Sequence, residues 1–178
     1  MSDCIKIHNI IEHSNVNGPN NRFVIWTQGC SLSCAGCFNP LTHDINGGFD
    51  MNIFQLAEQI SHTSGIRGIT LTGGEPLLQA NVVGKLLDLI DKKLDVLLFS
   101  GYTIDEVMND TAKKQVLYQV DAALLGRYNQ NLQHPFYGKK LVLNGNRIEK
   151  EELSPWSNTE VIIQSNNVQI TGLYKQLA

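Results

Sequence analysis

Arg22-Phe23-Val24-Ile25-Trp26-Thr27, running without a break into Gln28-Gly29-Cys30, is the stretch from which the fold is read. Its β-branched and aromatic side chains make a buried strand, and a cysteine cluster begins where that strand ends. The same arrangement recurs downstream. Gly68-Ile69-Thr70-Leu71-Thr72 is a short strand closed by Gly73-Gly74-Glu75-Pro76, and Val96-Leu97-Leu98-Phe99 is a strand closed by Ser100-Gly101-Tyr102. Between these strands the apolar residues fall at helical spacing. Ile53, Phe54, Leu56, Ala57 and Ile60 predict a helix over about 51–64 with Asp50 as its N-cap, and Val82, Val83, Leu86, Leu87 and Ile90 predict a second. A helix over 104–118, a strand at Ala122-Ala123-Leu124-Leu125, a loop through His134-Pro135 and strands near Leu141-Val142-Leu143 and Val161-Ile162-Ile163 continue the rhythm.

Alternation of short apolar strands with helices means a parallel sheet covered by helices. About six strand candidates are too few for a closed eight-stranded barrel, so the expected fold is α/β, a partial (open) β/α barrel of about six parallel strands. The chain reads as a single domain over 1–178. Within it, 1–16 is an N-terminal extension or edge strand (Ile5, Ile7, Ile10), 17–165 a β/α core, and 166–178 a C-terminal tail. Ligands of parallel sheets gather beyond the carboxyl ends of the strands. The cysteine cluster, the Gly73–Pro76 turn and Ser100-Gly101-Tyr102 all stand at such ends and should share one rim.

Composition narrows the function. With 178 residues, 42% hydrophobic and 17% charged, the chain can build a real core, and its net charge of -3 excludes a basic nucleic-acid footprint. No apolar run approaches the roughly 18 residues of a membrane helix. Met1-Ser2-Asp3-Cys4-Ile5-Lys6 is too polar for a signal peptide, so a cytoplasmic location is expected. Thiols stay reduced there, and clustered cysteines hold metal or do redox work. Cys4 stands alone, whereas Cys30, Cys34 and Cys37 form C-x3-C-x2-C.

A [4Fe-4S] cube takes four thiolates, one per iron, and this motif offers three, leaving one iron open. An open coordination position marks a reactive centre rather than a structural one. Its natural occupant is a small chelate carrying an amine and a carboxylate. Glu75 at the neighbouring strand end could hold the ammonium group by a charge-assisted hydrogen bond, with Gly73-Gly74 allowing close approach and Pro76 stiffening the turn. The plainer alternatives are a zinc knuckle or electron-transfer cluster with His43 as fourth ligand, and an ordinary strand-to-helix turn at Gly73–Pro76.

C-x3-C-x2-C followed by Gly-Gly-Glu-Pro resembles the radical S-adenosylmethionine superfamily. The resemblance implies that Cys30, Cys34 and Cys37 ligate three irons, that Gly73, Gly74, Glu75 and Pro76 hold the methionine amino group, and that Gly36, Phe38 and Ser100 contact adenine and ribose. Within that superfamily the chain is most similar to the activating enzymes of glycyl radical enzymes, above all the small activase of anaerobic ribonucleotide reductase. Asn17-Gly18-Pro19-Asn20-Asn21-Arg22 resembles that group's Asn-Gly-Pro-Gly-x-Arg, and the run from Trp26 through Cys30, Cys34 and Cys37 to Phe38-Asn39-Pro40 is similar nearly throughout. Ser100-Gly101-Tyr102-Thr103 resembles Thr-Gly-Tyr-Thr. The similarity spans about 17–125. Beyond it the chain departs: Leu125-Gly126-Arg127-Tyr128 replaces Asp-Gly-Pro-Phe, and Leu141-Val142-Leu143-Asn144-Gly145-Asn146-Arg147 replaces Arg-Gly-Ser-Ser-Asn-Gln-Arg.

The implied activity is reductive cleavage of S-adenosylmethionine at the cluster to a 5'-deoxyadenosyl radical, which removes a glycine hydrogen from an anaerobic ribonucleotide reductase-like partner. Flavodoxin or ferredoxin is the expected electron donor. A peptide or small-molecule substrate is the alternative within radical chemistry, and an iron–sulfur redox or sensory module without turnover is the alternative outside it. Phe23, Trp26 and Phe99 read as core. Arg22 either pairs with a carboxylate or positions the partner, and Asp121 is either a strand-edge acid or a ligand near the cluster. His8, His13, His62 and His134 lack metal-ligand spacing.

Overall fold

The computed structural model describes residues 3–132, 137–153, 159–164 and 167–172. The loop expected through His134-Pro135 and part of the 166–178 tail lie outside the described residues. The strands are β1 (Cys4–Ser14), β2 (Arg22–Thr27), β3 (Phe49–Asn52), β4 (Gly68–Gly73), β5 (Asp95–Ser100), β6 (Ala122–Leu125), β7 (Lys140–Leu143), β8 (Thr159–Gln164) and β9 (Asn167–Gly172). The α-helices are α1 (Ile53–His62), α2 (Ala80–Leu89), α3 (Ile104–Met108) and α4 (Thr111–Gln119). None of the helices among the described residues is long and apolar enough to cross a membrane.

Seven strands form one sheet in the order β3-β1-β2-β4-β5-β6-β7. Only β2, β4, β5 and β6 pair in parallel, so the expected six parallel strands reduce to a core of four. The candidates at 141–143 and 161–163 do not join the parallel set. The short turn from β1 to β2 has no room for a crossover helix, and the two strands pair antiparallel. At the far side β7 also pairs antiparallel, with β6. The strand read at Val161-Ile162-Ile163 is present as β8 but pairs with β9 in a separate two-stranded sheet. β1 is not an edge strand, because β3 adds outside it. The sheet is open, with β3 and β7 at its ends, and no barrel closure is formed among the described residues.

Strand parity separates the two faces. Phe23 and Ile25, Ile69 and Leu71, Val96 and Leu98, and Ala123 and Leu125 join the core with Leu56 and Ile60 of α1, Val83 and Leu86 of α2, Val107 of α3 and Val116 of α4. Each of these side chains except Ala123 contributes about 1.5–3 kcal/mol on full burial. Val24, Trp26, Thr70, Leu97 and Phe99 fall on the opposite parity, and this second face is closed by the 15–21 loop, the β8–β9 hairpin and Ile148 and Leu153. Phe23 and Trp26 are core as expected and Phe99 packs partly buried against the core; Trp26 and Phe99 lie on the second face, where they also wall a cavity.

Helix boundaries follow their caps. Asn52, not Asp50, caps α1 by accepting from the Phe54 amide, and Asp50 lies within β3. The single helix expected over 104–118 is two. Thr103 and Glu106 form a capping box for α3, and Asp110 accepts from the Lys113 amide to restart the chain as α4.

The amino ends of the parallel strands carry a buried charge chain. Arg22 is fully buried, donates to Thr70 Oγ1 at 2.8 Å and to the Ile69 carbonyl at 2.7 Å, and pairs with buried Asp95 at 2.6 Å. Arg67 pairs with Asp95 at 2.8 Å and with Glu152 at 2.5 Å. Asp121 belongs to this end too: it accepts from the Val96 amide and pairs with Arg147 at 3.5 Å. Arg22 and Asp121 are therefore structural and stand at the opposite strand ends from the cysteines.

Candidate cofactor site

The carboxyl ends of β2 and β4 are sewn together by backbone, and the Glu75 side chain ties in the end of β5. The Gly74 amide donates to the Thr27 carbonyl at 2.8 Å and the Glu75 amide to the Gly29 carbonyl at 2.9 Å. This contact explains both glycines. Gly73 has φ +102, and a Cβ on Gly74 would lie 2.4 Å from the Gly29 carbonyl oxygen. Gly29 and Cys30 are held from the other side by the Thr42 and His43 carbonyls. The chain from 30 to 39 is otherwise irregular, with Ser33 at φ +47 beside Cys34, a strained backbone of the kind that collects at functional sites.

Cys30, Cys34, Cys37, Phe38, Gly73, Gly74, Glu75 and Ser100 all line one cavity at this rim. Gly36 and Pro76 are not in its wall: Gly36 faces Gln130, and Pro76 is buried in the first turn of a short 3-10 helix (Pro76–Gln79). Asn17, Trp26, Phe99, Tyr128 and Lys139 complete much of the lining. His43 does not reach the cavity wall; its backbone carbonyl, not its ring, contacts the Cys30 amide.

The three thiols are half-buried, and burial pushes those of Cys30 and Cys37 up from their ordinary value. Among the described residues no three His, Cys, Asp or Glu side chains converge on a single ion. A cube takes each thiolate at a different corner, and the three cysteines line one cavity.

Glu75 is fully buried. Its Oε1 accepts from the Leu77 amide at 2.9 Å and from Ser100 Oγ at 2.8 Å, and its Oε2 accepts from the Gly101 amide at 2.7 Å. Burial raises its pKa, while these donors hold it back. A carboxylate has about four acceptor positions, so three donors leave one for a ligand facing the cavity. Ser100 thus acts through Glu75 as well as lining the wall.

Lys139 escaped the sequence reading. It stands immediately before β7, next to exposed Lys140, with no spacing to mark it. Its Nζ donates to the Gly126 carbonyl and to the Ser100 carbonyl at 3.4 Å. Burial pushes its pKa down, and the nearby Glu75 and Cys34 oppose that shift. Ser100 is therefore a shared anchor, with its hydroxyl on Glu75 and its carbonyl on Lys139. An anion-binding group and a cation-binding group lie side by side, as an amino-acid zwitterion requires. Neighbouring Arg127 is committed elsewhere: it pairs with Glu106 at 2.7 Å and lies over the Tyr102 ring, 5.7 Å from its centroid.

Comparison with known proteins accords with this geometry. A family model described as a 4Fe-4S single cluster domain matches residues 16–147. The anaerobic ribonucleoside-triphosphate reductase-activating protein of Enterobacteria phage T4 is 34% identical over 125 residues, covering 66% of this chain and 77% of that protein. Its namesake from Escherichia coli strain K12 is 31% identical over 129 residues, covering 67% and 82% respectively. The pyruvate formate-lyase 1-activating enzyme of the same strain is 35% identical over 89 residues, 47% of this chain and 36% of that enzyme. With these matches laid over the three cavity cysteines and the Gly73–Pro76 turn, the chain belongs to the radical S-adenosylmethionine activating-enzyme family, whose cofactors are a [4Fe-4S] cluster and S-adenosylmethionine.

Proposed function

We propose that this protein installs a glycyl radical on a partner of the anaerobic ribonucleotide reductase type. The observation that carries the proposal is the cavity itself, in which three thiols, a carboxylate with one acceptor position spare and a half-buried ammonium share one strand-end rim. Cys30, Cys34 and Cys37 hold three irons. Glu75 takes the ammonium of the methionine moiety and Lys139 its carboxylate, each by a charge-assisted bond in a water-poor pocket. Gly73, Gly74 and Pro76 keep Glu75 at its station, and Phe38 and Ser100 flank the nucleoside. A reduced cluster held by Cys30, Cys34 and Cys37 would supply one-electron reductive cleavage of the S-adenosylmethionine that Glu75 and Lys139 orient, the chemistry needed to remove one hydrogen atom from the partner's glycine. The protein's own part is ligation, orientation and exclusion of water; no general base is needed. The electron comes from a flavodoxin or ferredoxin, and the setting is the cytoplasm.

The altered end of β6, Leu125-Gly126-Arg127-Tyr128, favours one second reading, a peptide or small molecule in place of the large partner. Anaerobic reconstitution followed by reduction in the presence of S-adenosylmethionine separates the possibilities. We expect about four irons per chain, 5'-deoxyadenosine, and a glycyl radical on the cognate reductase visible by electron paramagnetic resonance. 5'-Deoxyadenosine without that radical selects the second reading. A zinc-bound protein, or a cluster that never cleaves the cofactor, overturns both and leaves a module without turnover.

A further inference from the structure

The 4Fe-4S domain match ends at residue 147, and the β8–β9 hairpin lies wholly beyond it. The hairpin is nonetheless fixed to the site. Ser14 Oγ donates to Glu160 at 2.7 Å, Asn17 Nδ2 donates to Thr171 Oγ1 at 2.8 Å, and Ile162 packs on Ile11, Val24 and Trp26. Strand parity then turns the other face outward. On it Val161 stands opposite Ile170 and Ile163 opposite Val168, and their exposures are 55%, 47%, 78% and 59%. Two adjacent β-branched pairs with no charge among them are an apolar patch of the sort that marks an interaction surface.

The patch is continuous with the reaction site. Ile170, Thr171 and Gly172 wall a groove together with His8 and Asn9, and Asn17, Trp26, Phe38, Asn39 and Gly172 wall both this groove and the cofactor cavity. Resting on the function proposed above, we propose that the β8–β9 hairpin is the platform on which this chain receives the protein it activates. An extended, aliphatic-rich segment of the glycyl radical partner lies on Val161, Ile163, Val168 and Ile170, and its glycine-bearing continuation follows the groove into the cavity. His8 and Asn9 offer polar groups to that backbone. A second copy of this chain is the weaker occupant, since a copy seated on Ile170 would also cover the groove that shares its wall with the cavity.

The test uses the full-length, cluster-loaded protein and the anaerobic ribonucleotide reductase encoded in the same genome. The double variant Ile163→Asn, Val168→Asn alters the outer pair, which touches neither cavity nor groove, and Ile163→Thr, Val168→Thr keeps the β-branched shape as a control for folding. In the absence of reductase, both variants should form 5'-deoxyadenosine at the wild-type rate. At limiting reductase, the asparagine variant should lose radical yield by about tenfold or more, the scale set by removing two central anchors, with recovery as reductase is raised and an intermediate loss for the threonine variant. Equal radical yield from wild type and variant at every concentration overturns the platform while leaving the function intact. No radical with the wild type overturns the named occupant together with the function. A wild-type dimer that the asparagine variant converts to monomer, with radical yield unchanged, assigns the patch to self-association and likewise overturns the proposal.

Discussion

Glu75 does two jobs with one carboxylate, joining the ends of β4 and β5 through the Leu77, Ser100 and Gly101 donors while keeping an acceptor position for a ligand. Replacing Glu75 by alanine should leave iron content and the visible cluster spectrum unchanged, yet weaken S-adenosylmethionine binding by tenfold or more, measured by equilibrium titration. Thermal unfolding of the same variant should show a loss of about 1–3 kcal/mol, because buried donors lose their partner. Lys139→Met should weaken cofactor binding without loss of cluster, and Lys139→Arg should recover part of it. Unchanged affinity in Lys139→Met would remove the lysine from the pocket's chemistry. Glu75 was legible in the sequence because its motif sits at a strand end; Lys139 was not, because its position depends on how residues beyond β6 fold back. Asn20 shows the converse. The sequence marked it only as a substitution in Asn-Gly-Pro-Gly, and its φ of +60 supplies the reason, since asparagine tolerates a left-handed backbone.

Among the elements, the parallel strands were readable because each is a short apolar run that ends in a turn signal, and β2 and β4 keep the boundaries expected of them to within a residue. β3 was not, for Phe49-Asp50-Met51-Asn52 is brief and half polar and becomes a strand only by pairing with β1. The β8–β9 pairing was missed for a related reason: β8 was visible as Val161-Ile162-Ile163, but its partner carries one apolar residue in two, and nothing local says which sheet it joins. Arg22 and Asp95 open β2 and β5, and their ion pair fixes the amino ends of these strands. Arg22→Met leaves Asp95 buried with Arg67 as its remaining cation, so denaturant unfolding should register a loss of about 3–5 kcal/mol, toward the lower bound because of that second partner. A loss below 1 kcal/mol would show that the pair is solvated in the folded protein.

At the scale of the molecule, the Arg67–Glu152 pair straps the 150–153 segment across the sheet's amino end. The Arg67 guanidinium pulls the Glu152 carboxyl from its ordinary value of 4.5 down to about 2. A depressed acid stabilises the fold above its unfolded value, and that contribution fades as pH falls from 4.5 toward 2. The Glu152→Gln variant should therefore be less stable than the wild type at pH 6 and approach it as pH is lowered through that window, as followed by denaturant midpoints; a gap that does not narrow contradicts the assignment. The general topology was legible from strand–helix alternation, whereas the number of parallel strands was not, since nothing local says that β7 turns back on β6 or that β8 leaves the sheet to pair with β9. The Gly73-Gly74 seam against Gly29 has a mechanical corollary. With no slack between those backbones, the stem of the cysteine loop and the turn that carries Glu75 form one rigid jaw, so a side chain larger than hydrogen at Gly74 would prise the thiols away from the carboxylate.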